Sequence, residues 1–174
     1  RDSSPQSEIV SIRVEDEQGN IEPDKISLAL MKILAYMAEN PDTKVIVNIS
    51  LGATYVRYNM TVDALLLRLI SDKKGVVVVA AAGNCRGNTN GRQGCEIRQN
   101  DGTVTGYAQN SKMYPAASPH AISVAAATVD NTIASYSEQN DASNANIGNW
   151  ISVAAPGGDG ACTDSTKTCI FSTV

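Results

Sequence analysis

Two apolar segments of the chain end in small and amide-bearing residues, and these ends could support chemistry. Val45 to Ser50 (VIVNIS) continues into Leu51-Gly52, and Val76 to Ala82 (VVVVAAA) continues into Gly83-Asn84. Small side chains let a second backbone approach closely, and an asparagine directly after a glycine is a positioned amide donor. Taken separately, each end is also compatible with an ordinary turn that leaves a strand.

Sequence motifs for several other chemistries of α/β proteins are absent. The sequence contains no GxGxxG segment, no phosphate-binding loop, no GxSxG, no HExxH and no EF-hand loop. These motifs supply phosphate cradles, exposed nucleophiles and metal ligands in their respective proteins. Their absence disfavours a nucleotide-binding enzyme or a zinc hydrolase.

The composition is typical of one globular domain. The chain has 174 residues, of which 43% are hydrophobic and 18% are charged, and its net charge is -4. It has no basic run for a nucleic-acid partner and no apolar run long enough to cross a bilayer. With one Trp and one Phe, the core must consist of aliphatic residues, as in a sheet covered on both faces.

The four cysteines form two close pairs, Cys85 with Cys95 and Cys162 with Cys169. Each pair brackets a polar stretch, and the spacings match neither CxxC nor a zinc site. Two local disulfides are favoured, which predicts a secreted or cell-surface protein. Four free thiols in a cytosolic enzyme remain the alternative.

The hydrophobic periodicity of the chain predicts alternating strands and helices, and these elements must position the residues at the ends of the two apolar segments. Short links between them indicate parallel strands with helical crossovers, so the fold class is α/β, a doubly wound and mostly parallel sheet flanked by helices. The predicted elements are a strand at Ile9 to Val14, a helix capped by Asp24 and ending at Asn40, a strand at Val45 to Ser50, a helix capped by Thr61 and ending at Gly75, and strands at Val76 to Ala82, Ala121 to Ala127 and Trp150 to Ala155. The stretch from Cys85 to Lys112 lacks an apolar period and is predicted to be a functional loop.

Several segments, in this order and spacing, resemble the subtilisin-like serine proteases, or subtilases. The segments are SIRV at Ser11 to Val14, VIVNISLG at Val45 to Gly52, VVVVAAAGN at Val76 to Asn84, YPAASPHAISVAAAT at Tyr114 to Thr128, SYSEQ at Ser135 to Gln139, VAAPGG at Val153 to Gly158 and IFST at Ile170 to Thr173. The resemblance covers nearly the whole chain, and it rests on the combination because each piece alone is weak.

The resemblance implies roles for the residues at the strand ends. Asn84 matches the asparagine of the oxyanion hole, which stabilises the tetrahedral intermediate of peptide hydrolysis. The matches for the substrate-binding cleft are Ser50, Leu51 and Gly52 on one wall, Ala81, Ala82 and Gly83 on the other, and Tyr114 at the base with Met113 near its floor.

The resemblance also implies that this chain lacks the catalytic triad. In subtilases Asp and His precede these segments and Ser follows them, so we expect residues 1–174 to be a central part of one catalytic domain. The single histidine, His120, is expected to be a turn residue. The parent protein is then a serine endopeptidase acting on proteins or peptides, and the chain alone is inactive. The alternatives are a degenerate, peptide-binding subtilase and, more weakly, a small Rossmann-like enzyme.

Further expectations concern cofactors and partners. The family's reaction requires no cofactor, although backbone carbonyls around Ala116, Ser118 and Ala121 could hold a structural sodium or calcium ion. Ser152 stands where many relatives carry an acidic residue, so a side-chain ligand for a cation is missing there. The rest of the catalytic domain is needed to complete the fold, and without it we expect a partly bare core.

Overall fold

The computed structural model describes residues 7–17, 21, 23–54, 60–72, 75–87, 95–99 and 103–158. Within these residues it contains two helices and eight short strands. The helices are α1 (Pro23–Glu39) and α2 (Met60–Asp72), and the strands are β1 (Val45–Ile49), β2 (Ala53–Thr54), β3 (Val76–Ala81), β4 (Glu96–Arg98), β5 (Val104–Tyr107), β6 (Met113–Tyr114), β7 (Ile122–Ala127) and β8 (Val153–Pro156). In this part of the chain, neither helix has the length and apolar character needed to span a membrane.

A four-stranded sheet in the order β1-β3-β7-β8 organises the molecule. All three of its strand pairs are parallel, and β1 and β3 pair in register from Val45 with Val76 to Ile49 with Ala80. This register places the carboxyl ends of β1 and β3 side by side. The predicted parallel α/β fold class is confirmed.

The predicted strand at Ile9 to Val14 is wrong. The segment pairs with no strand among the described residues, and Ile9 and Val10 are 75% and 67% exposed. Its nearest ladder contact is an isolated bridge between Glu15 and Ile21. The β-branched residues indicated a strand, but such a preference takes effect only where a neighbouring strand and a packed face exist.

Both predicted helix starts are displaced. Helix α1 begins at Pro23, so Asp24 lies inside its first turn, and α2 begins at Met60 rather than after Thr61. Proline suits the first helical position because its fixed φ is already helical and its missing N–H is not needed there. An acidic residue in the first turn interacts favourably with the helix dipole. Gly75, the predicted end signal after α2, adopts a φ of +93°, which favours glycine.

The main core lies between the helix pair and one face of the sheet. The fully buried Leu30 and Met37 of α1 and Leu66 and Leu69 of α2 pack with inward side chains of β1 and β3 such as Val78. The apolar stripes predicted for the two helices therefore face the sheet. Burying a side chain of this size contributes about 1.5 to 3 kcal/mol.

The opposite face of the sheet is uncovered in the described part of the chain. Register partners in a parallel sheet point to the same side, and four large side chains share this side: Ile46 of β1, Val77 of β3, Ile122 of β7 and Val153 of β8. Their exposed fractions are 75%, 42%, 41% and 50%. Parallel sheets are normally buried on both faces. We call this set of side chains the bare face.

The bare face predicts that the 174-residue chain self-associates in solution, because exposed apolar patches promote association. The unmodified chain should sediment as larger species as its concentration rises. Replacing the neighbouring Ile46 and Val77 together by lysine should shift it to the monomer. The matched control replaces Leu28 and Leu67, which are exposed on the helices, and should leave association unchanged. A concentration-independent monomer for the unmodified chain would contradict this prediction.

Candidate active site

The carboxyl ends of the sheet strands open into a cavity of about 440 Å³. In open α/β sheets this edge is where ligands bind. The lining includes Asn48, Ser50 and the continuous run 79–84, with residues of β7, Tyr136, Ser137 and the end of β8 opposite. The two ends that the sequence singled out thus contribute to one concave surface.

Asn84 lies three residues beyond β3, with an exposed position on the rim of this cavity. The turn that delivers it depends on Gly83, whose φ is +116°. This conformation is costly for any residue with a Cβ. A Cβ on Gly83 would also lie 2.7 Å from the Cγ of Met113, so both the backbone and the packing require glycine here.

Met113 lies between the two predicted walls of the cleft. Its Cβ is 3.5 Å from the point where a Cβ on Gly83 would stand and 3.7 Å from the corresponding point on Gly52. The pairing of β2 with β6, in which Thr54 is opposite Met113, brings these segments together. Met113 is 3% exposed. Its side chain therefore fills the space beside Gly83.

The structure brings most of the predicted cleft residues together, in two groups. Ser50, Ala81, Ala82, Gly83 and Asn84 line the cavity. Gly52, Met113 and Tyr114 adjoin it, and the carbonyl oxygen of Tyr114 would lie 3.2 Å from a Cβ on Gly52. Leu51 differs from the others because it packs against the main core. The catalytic and substrate-binding roles of these residues remain predictions.

Glu138 is a functional candidate that the sequence did not reveal. Its side chain is fully buried, and its carboxylate accepts hydrogen bonds from the backbone N–H groups of Cys85 (3.0 Å) and Ser111 (3.1 Å). Burial raises the pKa of the Glu138 carboxyl to about 7, although these two hydrogen bonds and the charge of Arg86 lower it in part. A glutamate in the polar string SYSEQ is typical of a surface loop, so no pattern signalled its burial.

A disulfide joins Cys85, the residue after Asn84, to Cys95. Both half-cystines are buried and form a small second core with Ala108 and Met113. The loop predicted at 85–112 contains the antiparallel pair β4–β5, which the sequence pattern did not predict. The predicted partners Cys162 and Cys169 lie outside the described residues.

Side-chain hydrogen bonds hold the turn after Met113. The buried Ser118 hydroxyl donates to the carboxylate of Asp63 on α2 (2.5 Å) and accepts from the backbone N–H of His120 (3.2 Å). Within the described residues, no cluster of three or more His, Cys, Asp or Glu side chains could hold a metal. Cation binding by the carbonyls of this turn stays a prediction, and His120 lies in a turn as expected.

Comparison with known proteins identifies the family. The sequence model of the subtilase family matches residues 3–173. The chain belongs to the subtilase family. No curated protein sequence matches it.

Two subtilisin-like proteases of known structure share the fold of this subtilase. Sphericase superposes with a TM-score of 0.58 at 27% identity, and a protein named S41 psychrophilic protease with a TM-score of 0.57 at 23% identity. Each comparison covers 83% of this chain and 42% of the solved protein. The chain therefore spans less than half the length of these two relatives.

The raised pKa of Glu138 predicts a pH dependence of stability. The folded chain holds this proton more tightly than the unfolded chain, so the stabilisation is complete below the ordinary pKa of 4.5 and is lost as pH rises to about 7. Relative to Glu138→Gln, whose side chain does not titrate, the unfolding free energy should fall by about 2 to 3 kcal/mol across this window. Urea unfolding of both proteins at about pH 4.5 and about pH 8 measures the difference. Equal changes in the two proteins would contradict the prediction.

The disulfide predicts a second effect on stability. The bridge closes a short loop with a sequence separation of 10, and cross-links of this length raise the unfolding free energy by about 2 to 3 kcal/mol. The double variant Cys85→Ser with Cys95→Ser should lose about this amount in urea unfolding. Adding a reductant should destabilise the unmodified chain more than the double variant, because any bridge between Cys162 and Cys169 is present in both. Equal sensitivity of both to the reductant would show that the bridge at Cys85 is not responsible.

Proposed function

We propose that this subtilase is part of a serine endopeptidase and that the cavity at the strand ends is its substrate cleft. The observation that carries the proposal is the position of Asn84. Its side-chain amide lies on the rim of this cavity, next to Gly83, whose backbone conformation requires glycine. The chain spans 42% of each solved relative, and we place the catalytic Asp, His and Ser in the remaining part of the protein.

In the proposed reaction, the serine oxygen attacks the carbonyl carbon of the scissile peptide bond while histidine accepts the hydroxyl proton. The carbonyl oxygen gains negative charge in the tetrahedral intermediate, and the Asn84 amide donates a hydrogen bond to it. Collapse of the intermediate breaks the C–N bond, and histidine returns the proton to the leaving amine. Water then hydrolyses the acyl-enzyme by the same steps. The contribution of Asn84 is electrostatic stabilisation of a charge that exists only along the reaction.

The walls of the cleft are suited to a substrate that is recognised through its peptide backbone. Residues 50–52 follow β1, and residues 81–83 start at the last residue of β3. They carry small side chains apart from Leu51, whose side chain packs against the core. An extended peptide can hydrogen-bond to such chain edges, as in strand addition. The disulfide at Cys85 supports an oxidising, extracellular location for the protein. The bare face supports the expectation that the rest of the catalytic domain packs there.

The oxyanion role is tested by Asn84→Ala in the full-length protein. The unmodified enzyme should be labelled by a fluorophosphonate probe and should hydrolyse a peptide substrate. Asn84→Ala should lower kcat by about 10² to 10³ with little change in KM, a range established on subtilisin, a member of the same family. The control is Asn149→Ala, an exposed asparagine elsewhere, which should keep full activity. A full-length protein that binds peptides but is neither labelled nor active would instead be the degenerate peptide-binding module.

The position of Met113 predicts a preference for small residues before the scissile bond. Met113→Ala should raise kcat/KM for a leucine peptide relative to the matching alanine peptide by about tenfold, since pocket volume discriminates side chains on this scale. The control is Met37→Ala, which truncates an equally buried methionine of α1 and should leave the ratio unchanged. Equal ratios in all three proteins would show that Met113 does not limit the pocket.

A further inference from the structure

Burying the carboxylate of Glu138 costs free energy, and its place in the fold alone does not explain why it is buried. A carboxylate that is fully buried loses its hydration, and such groups persist where specific hydrogen bonds compensate for them. The two compensating bonds come from backbone N–H groups of different loops, those of Cys85 and Ser111. The first of these loops contains Asn84.

Two hydrogen bonds of Glu138 hold the backbone immediately before and immediately after Asn84. The N–H of Cys85 donates to Oε1 of Glu138 (3.0 Å), and the N–H of Glu138 donates to the carbonyl oxygen of Gly83 (3.3 Å). These groups belong to the two peptide units that flank the Cα of Asn84. The orientations of those peptide planes define φ and ψ of the residue between them. Glu138 therefore fixes the direction in which the Asn84 side chain leaves the backbone.

Glu138 is itself held in place from other directions. Its second oxygen, Oε2, accepts from the N–H of Ser111 (3.1 Å), and the next residue, Gln139, donates its N–H to Oδ1 of Asn110 (2.8 Å). The preceding residue, Ser137, accepts from the N–H of Ala126 on β7 through its hydroxyl (2.9 Å). We call Glu138 and its two hydrogen bonds to the backbone around Asn84 the clamp. The clamp is thus connected to the parallel sheet and to the segment that leads into Met113.

We propose that Glu138 is a positioning residue of the oxyanion hole, which holds the backbone on both sides of Asn84 so that its amide points at the developing oxyanion. The proposal rests on the proposed function, since it assigns to Glu138 an effect on catalysis exerted through Asn84. Glu138 does not contact the reacting atoms in this role. A preorganised donor gains its catalytic effect from fixed geometry, and small misplacements of such groups are costly.

The chemistry of the clamp suggests the diagnostic variants. Glu138→Gln has nearly the same shape but only one acceptor oxygen, so its NH₂ group must face one of the two N–H donors. Glu138→Asp keeps both acceptor oxygens but is one methylene shorter. The matched control is Glu39→Gln, the same change at an exposed glutamate at the end of α1.

The test is a double-mutant cycle in the full-length protein, with kcat normalised to the enzyme that a fluorophosphonate probe labels, so that unfolded protein is not counted. Glu138→Gln should lower kcat by about tenfold or more while KM changes by less than about twofold. In the Asn84→Ala background the same change should have almost no further effect on kcat, because the donor that it positions is gone. Glu138→Asp should fall between the unmodified enzyme and Glu138→Gln, and Glu39→Gln should match the unmodified enzyme.

Equal losses from Glu138→Gln in both backgrounds would overturn the proposal, because they would show an effect that does not pass through Asn84. If Asn84→Ala leaves kcat unchanged, the proposed oxyanion role of Asn84 is wrong. Whether Glu138 holds this backbone is then tested by a measurement that does not depend on activity. Amide hydrogen exchange of the 174-residue chain should be faster at Cys85 in Glu138→Gln than in Glu39→Gln. Unchanged exchange at Cys85 would show that Glu138 does not hold this backbone.

Discussion

The in-register parallel pairing of β1 with β3 is the constraint on which the candidate site depends. Five consecutive residue pairs align, from Val45 with Val76 to Ile49 with Ala80, so the two strands end at the same level. The residues that follow, Ser50 and Ala81, then meet at one edge of the sheet. Because side chains alternate between the faces of a strand, a slip by one residue would exchange the buried and exposed sets. The packing of the helices on one face of the sheet specifies this register. It therefore also fixes the geometry of the cleft at the carboxyl ends of the strands.

The cleft joins this rigid sheet to loops that need a separate means of support. The left-handed turn at Gly83 carries the chain out of β3, and within the described residues no regular ladder continues beyond the bond from Ala82 N–H to the Val124 carbonyl. The disulfide at Cys85 and the carboxylate of Glu138 supply that support from two sides. A covalent link restricts the unfolded chain, whereas a buried carboxylate specifies one folded geometry. The two devices act on the same few backbone atoms and are complementary.

Within the described residues, the two faces of the sheet differ strongly in burial. One face is covered by α1 and α2, with Leu66 and Leu69 fully buried, while Ile46 and Val77 on the other face are exposed. The cavity at the strand ends is lined from both sides of the sheet, by Asn48 and Val79 of the uncovered side and by Ala80 and Ala125 of the helix-covered side. The proposed function would place the rest of the catalytic domain against this uncovered face, in line with a chain that spans less than half the length of its solved relatives.

The sequence by itself determined the parallel α/β class, the helix faces, the strands that end at the cleft and the pairing of Cys85 with Cys95, because these follow from periodicity and from residues close along the chain. It also singled out Asn84, as an amide after a glycine and an apolar run and through the resemblance to subtilases, and its role stays a prediction. It was wrong at Ile9 to Val14, where the β-branched residues pair with no strand in the part of the chain that the structure describes. Only the tertiary structure placed Glu138, since its burial and its partners come from distant segments, as with the bonds from Cys85 and Ser111 at separations of 53 and 27. A single glutamate has no periodic signature, and its role is decided by which distant backbone groups the fold brings against it.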